Sequence, residues 1–237
     1  MMNIVITGAS RGIGYELVKQ FCLAGTNTVF AVSRNGEKLE QLKKECKELN
    51  SSSKVVSLAF DLSSENDIKS LLKEIRKETS TVNILINNAG TLVNKPFLEI
   101  TKADLEAVYQ VNVFSVVSLI QGFLPLMEQK ERSHIVNISS MGGFQGSAKF
   151  AGLSAYSSSK AAWVCLTECM AEEFKEKNTS FNCLALGAVQ TEMLNEAFPG
   201  YKAPLSAKEM ALYIADFALN TSKVMNGKVI PVSLSTP

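Results

Sequence analysis

Residues 3–25 read NIVITGASRGIGYELVKQFCLAG. An apolar, β-branched run at 3–7 stops at Gly8, glycine returns at 12 and 14, and an amphipathic stretch begins at Tyr15. This is the pattern of a strand, a tight glycine turn and a helix. The run at 3–7 does not alternate apolar with polar residues, so the strand is expected to be buried on both faces, with other strands beside it. Six further runs supply them: TVFAVS (28–33), VVSLAF (55–60), NILIN (83–87), HIVNIS (134–139), SFNCLAL (180–186) and KVIPV (228–232). Helical patterns lie between. Leu39, Leu42, Cys46 and Leu49 form an apolar stripe on a charged segment at 36–49, and Ile68, Leu71, Leu72 and Ile75 repeat it at 64–78. Thr101 with Asp104, and Ser206 with Glu209, are capping pairs that open later helices. Alternating strand and helix predicts an α/β, doubly wound fold: a seven-stranded, mainly parallel sheet with helices on both faces. With 237 residues, 46% of them hydrophobic, no repeat and no linker longer than NSSS at 50–53, a single domain over 1–237 is expected.

Composition narrows the partners. The 24 basic and 23 acidic residues are interspersed, giving a net charge of +1 and no footprint for nucleic acid or an anionic membrane. The start lacks a secretory pattern and no run of about 18 apolar residues follows, so no membrane span is expected. Cys22, Cys46, Cys165, Cys169 and Cys183 lie in apolar segments and read as buried thiols of a cytoplasmic protein. With one histidine, His134, no metal site is expected.

The glycine turn is suited to phosphate. Between a strand and a helix, Gly8, Ser10, Gly12, Ile13 and Gly14 let backbone amides approach a pyrophosphate at the helix N-terminus, as in a Rossmann-like dinucleotide site. A G-K-[ST] sequence is missing, which disfavours a nucleoside triphosphatase. At the end of the second strand, where an acidic side chain selects NAD, the sequence has Ser33 and Arg34, and Arg11 adds a cation in the turn. NADP(H) is therefore favoured over NAD(H). A tenfold preference needs only about 1.4 kcal/mol, within reach of one charge-assisted contact.

In GLSAYSSSKAAW (152–163), Tyr156 and Lys160 stand four apart and so share one face of a helix. Adding hydride to a carbonyl leaves an alkoxide that needs an acid and hydrogen-bond donors. A phenol with a pKa of about 10 is a reluctant acid-base group near neutrality, and a cation within about 4–6 Å favours its ionised form. Tyr156 and Lys160 are thus expected to form a tuned acid/base pair.

Together TGASRGIG, NNAG (87–90), Asn112, NISS (137–140) and YSSSK (156–160) occur in an order that resembles the short-chain dehydrogenase/reductase family, from Asn3 to about Val232. The resemblance implies that Lys160 also binds the nicotinamide ribose, Ser140 orients a substrate carbonyl and Asn112 anchors a proton relay, with Ser139 an alternative to Ser140. It further assigns Asn88, Ala89 and Gly90 to the adenosine ribose, Asp61 and Leu62 to adenine, and Val189 and Thr191 to the carboxamide. It suggests a homodimer or homotetramer packed through helices at 101–128 and 155–177. Three features depart from the family pattern: sixteen residues separate Ser140 from Tyr156, with Gly143 at the usual serine position; Leu186-Gly187 replaces Pro-Gly; and little chain follows Thr191 before the next helix, implying a short lid and an open site. Phe144, Phe150, Met193, Leu194 and Phe198 are expected to line an apolar pocket for a small ketone or diketone. The expected activity is NADP(H)-dependent, reversible reduction of a small-molecule carbonyl to an alcohol. The alternative is a non-catalytic NADP-binding regulator; a sugar-nucleotide epimerase or an acyl-carrier reductase is disfavoured for want of a substrate domain or a basic docking patch.

Overall fold

Residues 1–127 and 131–234 are described by the computed structural model. Four of the five residues of β1 (Asn3–Thr7) are β-branched, which suits a pleated, enclosed position. It pairs in parallel with β2 (Thr28–Ser33) on one side and β4 (Ile84–Asn87) on the other. β3 (Lys54–Ala59), β5 (Ser133–Ser140), β6 (Thr179–Leu186) and β9 (Lys228–Val232) complete a seven-stranded sheet of order β3-β2-β1-β4-β5-β6-β9, every pairing parallel. Pro231, which cannot donate to a ladder, lies in the edge strand β9. The two-residue strands β7 (Val189–Gln190) and β8 (Leu205–Ser206) pair separately.

The pleat divides the core in two. Ile4 and Ile6 face a layer built from Leu17, Val18 and Phe21 of α1 (Gly12–Leu23), Leu39 and Leu42 of α2 (Gly36–Leu49), and Ile214 and Phe217 of α8 (Ala207–Asn220). Val5, between them, faces the other layer, with Ile68 and Leu71 of α3 (Glu65–Glu78) and Trp163 of α6 (Ser154–Glu173). The chain order reverses at β1 and β4, and in doubly wound sheets such a switch opens a crevice at the strands' carboxyl ends.

The helix expected over 101–128 is built in three pieces: α4 (Lys102–Tyr109), a π turn at Gln110–Phe114, and α5 (Ser115–Met127). Residue 128 lies outside the described residues. Over Lys102–Met127 this helix is long and apolar enough, by length and composition, to cross a membrane, a property the run-counting reading missed because Asn112, Ser115 and Ser118 interrupt it. Its Val116, Leu119, Ile120 and Phe123 pack into the second core layer. The capping boxes Thr101–Asp104 and Ser206–Glu209 both form. Two expectations need correction. Cys165 and Cys169 are exposed, because the buried stripe of α6 runs through Ala155, Ser159, Trp163, Thr167 and Ala171, and positions two further along face outward. The helix expected to reach 177 ends at Glu173.

Candidate active site

The glycine turn sits where β1 and β4 diverge. Gly8 and Gly12 have φ of +72° and +55°, in the left-handed region that side chains avoid. Gly14 serves close packing instead: a Cβ there would lie 2.2 Å from the Gly8 carbonyl oxygen. Thr7 Oγ1 accepts from the backbone N–H groups of Asn88 (3.1 Å) and Ala89 (3.0 Å), while Asn88 Nδ2 donates to the Thr7 carbonyl at 3.0 Å. The NNAG segment is thereby fastened to the end of β1.

A cleft of about 770 Å³ runs from this turn to α6. At one end it is lined by Ser33, Arg34, Asn35, Lys38, Asp61 and Leu62, and at the other by Ser140, Tyr156 and Lys160. Gly8, Ser10, Arg11, Gly12, Ile13, Asn88, Ala89, Gly90, Val189 and Thr191 line it between. The sequence motifs thus converge on one cavity. Gly14 and Asn112 stand behind its wall.

α6 holds Tyr156 and Lys160 on one face, with Lys160 Nζ 5.8 Å from the phenol ring centroid. Lys160 Nζ donates to the Ile138 carbonyl at 2.8 Å, and burial lowers its pKa to about 8. Ser139 and Ser140 both line the cleft, but Ser139 is buried and its Oγ donates to the Lys160 carbonyl at 2.8 Å, so it braces α6, whereas Ser140 is the more exposed of the two. Burial raises the pKa of Tyr156, and a hydrogen bond with Ser140 acts in the opposite direction. Enclosure favours the protonated phenol, while Ser140 and the Lys160 ammonium beside the ring are the groups placed to favour the phenolate.

Asn112 is buried in the π turn. Its Oδ1 accepts from Thr91 N–H at 2.8 Å, and its Nδ2 donates to the Thr91 carbonyl at 2.9 Å and to Ser159 Oγ at 2.9 Å. Its own carbonyl accepts from Trp163 Nε1. The widened turn presents that carbonyl and amide sideways, toward α6 and the 88–91 segment, as π turns at functional sites commonly do. Gly143 cannot stand in for Ser140, since a Cβ there would lie 2.6 Å from Ala161 N.

The sequence profile of the short chain dehydrogenase family matches residues 2–202. The chain belongs to the short-chain dehydrogenase/reductase family. It is similar to an NADPH-dependent pterin aldehyde reductase of Arabidopsis thaliana, 31% identical over 97% of this chain and 93% of the relative. It is also similar to the 3-oxoacyl-[acyl-carrier-protein] reductase FabG of Aquifex aeolicus, 29% identical over 97% and 94%. Among solved structures, the NADP complex of Pseudomonas aeruginosa RhlG superposes with a TM-score of 0.85 at 27% identity, covering 98% of this chain and 94% of that one.

In this short-chain dehydrogenase/reductase several polar groups are already engaged. Arg11 forms an ion pair with Glu196 of α7 (Glu192–Ala197) at 3.0 Å, both side chains about half exposed. Asp61 Oδ1 accepts from Ser63 N–H (2.9 Å) and Oγ (2.8 Å); these bonds lower its pKa, and the charge of Arg34 adds to the effect. Thr191 Oγ1 accepts from Leu194 N–H at 3.2 Å and caps α7. Lys38 also lines the cleft, at the Arg34 end, a residue the sequence reading missed. Its place in the first turn of α2, directly after the end of β2 where Arg34 stands, was the available signal. Phe144, expected in the pocket, is not among the lining residues: its carbonyl is turned to Ser147 Oγ (2.7 Å) and Lys149 Nζ (2.6 Å), inside the enlarged loop. Phe150, Met193, Leu194 and Phe198 do line it. The segment after Thr191 carries α7, whose Ala197 carbonyl accepts from Asn94 Nδ2 at 3.0 Å, so the short lid is tied across the cleft and not simply open.

Proposed function

We propose that the chain is an NADP(H)-dependent oxidoreductase that interconverts a small-molecule carbonyl and an alcohol in the cytoplasm. The observation that carries this reading is one cavity shared by the glycine turn, the cations Arg34 and Lys38, and the Ser140–Tyr156–Lys160 group. The turn fits a dinucleotide: Gly8 and Gly12 require their left-handed conformations, and no Cβ fits at Gly14. Backbone amides of 8–14 would hold the pyrophosphate, with Arg34 and Lys38 at the 2′-phosphate and Asp61 and Leu62 beside adenine. Asn88 to Gly90 would lie along the ribose, Val189 and Thr191 at the carboxamide, and Lys160 on the nicotinamide ribose. The bound cofactor supplies hydride. Tyr156 then donates its proton to the nascent alkoxide, Ser140 orients the carbonyl oxygen, and Lys160, held by Ile138 and backed by the Asn112 turn, returns a proton to the phenolate. A high phenol pKa suits the donor in reduction, since the proton stays on Tyr156 until an alkoxide is there to take it.

Following NADPH absorbance over a panel of ketones and aldehydes tests this. Tyr156→Phe should bind NADPH as the parent chain does and lose about 10²–10⁴-fold in kcat. Cofactor binding without turnover by either form would instead support the regulator. Assembly as a homodimer or homotetramer belongs to the same proposal, supported by the exposed Leu105 and Phe114 near the π turn and the outward face of α6.

A further inference from the structure

The two segments flanking the Tyr156 end of the cleft are joined by an aromatic pair. The rings of Phe150, in the enlarged loop before α6, and Phe198, just past α7, meet nearly edge to face at 75° with centroids 5.4 Å apart. This geometry is an attractive one for two quadrupoles, and both rings are only half-buried and line the cavity. A third segment holds each side of the pair in place. Asn94 Nδ2 donates to the Ala197 carbonyl, next to Phe198, at 3.0 Å, and Lys95 N–H donates to the Gly152 carbonyl, two residues after Phe150, at 3.0 Å. Lys95 is in turn anchored by Asp104 at 2.8 Å. Gly152 has a φ of +82°, so the chain turns there as only glycine does easily, carrying Phe150 to the cleft.

The chemistry of the surrounding wall is as informative. Leu92, Val111, Met141, Leu153 and Leu194 also contribute to it. Among the described lining residues from 90–92, 107–111, 141–153 and 192–198, the one ionisable side chain is Glu192, and that stands against the glycine turn, 3.6 Å from where a Gly12 Cβ would be. Among the described lining residues of these segments, no cation stands to hold a substrate carboxylate or phosphate, and Lys149 of the same loop is turned to the Phe144 carbonyl.

Resting on the carbonyl-reductase reading above, we infer that Phe150 and Phe198 together form the end wall of the substrate half of the cleft, so that the enzyme takes compact, uncharged apolar ketones and the pair sets the chain length it accepts. The wall exists because the loop between Ser140 and Tyr156 is long enough to bring Phe150 against the lid.

The test uses a homologous series of straight-chain 2-alkanones, from butanone to dodecanone, with the NADPH-loaded chain and its Phe150→Ala, Phe198→Ala and doubly substituted forms. Phe150→Leu, which keeps apolar bulk, guards against loss of folding. The parent chain should lose kcat/KM beyond a definite length. Either alanine form should raise the long-to-short ratio of kcat/KM about tenfold, and the double form should add little, because either truncation already breaches the wall. Phe150→Leu should fall between. A length profile unchanged by all four overturns the inference, as does a parent chain that prefers the matching ω-carboxylates. Binding of the same ketones to the NADP-loaded protein, by calorimetry, gives a second readout. If no form turns over any ketone, the redox reading fails on its own, while the length dependence of Kd still decides for or against the wall.

Discussion

His134 shows how a single residue's surroundings set its chemistry. It is the chain's one histidine and sits on β5, enclosed by β6 and α8. Its Nδ1–H donates to the Ala218 carbonyl at 3.0 Å, and its Nε2 accepts from Asn182 Nδ2 at 2.9 Å, which fixes a neutral ring with both nitrogens satisfied. Burial, more than the nearby charge of Arg132, lowers its pKa to about 4. The folded-state value lies below the ordinary 6.5, so the unfolded chain takes up the proton first. Stability is therefore whole above about pH 6.5 and declines as pH falls toward 4, by up to about 3 kcal/mol. Urea denaturation across that window should show the decline, and His134→Gln should flatten it, whatever its effect on stability at neutral pH. An unchanged slope in the variant would assign the decline to carboxylates. Tyr156 and Lys160 are the opposite case: their pairing is local, so the four-residue spacing exposed it, but the direction of each pKa shift depends on how deeply the folded chain encloses them.

Among elements, the interrupted helix from Lys102 to Met127 depends most on distant partners. The polar side chain of Asn112 in an apolar stretch was visible in the sequence as a group that must be satisfied. Its partners, Thr91 and Ser159, lie 21 and 47 residues away, and the π turn that aims it at both has no local signature. Asn112→Ala removes three side-chain hydrogen bonds and leaves the Thr91 amide and carbonyl to find others. A loss of about 2–4 kcal/mol is expected from denaturant titration, given about 1–3 kcal/mol for each buried group left unpaired and partial relaxation around it. A loss under about 0.5 kcal/mol would mean that the turn is held without Asn112. By contrast, the bounds of α2 and α3 were readable almost to the residue, since their apolar stripes are contained within each element; Leu49, read as part of the α2 stripe, is instead exposed at the helix's last position.

For the whole molecule, a net charge of +1 leaves no strong global field, so cofactor choice falls to local cations. Arg34 and Lys38 share one end of the cleft, while Arg11 is paired with Glu196. Arg34→Ala should weaken NADPH binding about 10- to 100-fold and leave NADH within about 2-fold, the loss of one charge-assisted contact. Fluorescence titration with both cofactors measures the ratio, and equal weakening of both would deny Arg34 a role at the 2′-phosphate. Exposed apolar side chains on the α4–α5 helix and the outward face of α6 lead to an expected solution mass of two or four times that of the chain. Light scattering behind a sizing column measures it, and a monomer across micromolar concentrations would refute assembly.

The order of strands and helices, the glycine turn and the acid/base spacing follow from residues within one or two turns of each other, so their periodicity and chirality alone were enough to specify them. Other properties required chain segments far apart in sequence to meet. The ion pair of Arg11 with Glu196 spans 185 residues, the phenylalanine wall joins two loops, and Cys165 faces outward only because α6 presents Trp163 to the sheet. Burial and partner choice are set by what packs opposite a side chain, and that neighbour is chosen by the fold, not by the residues next to it in the chain.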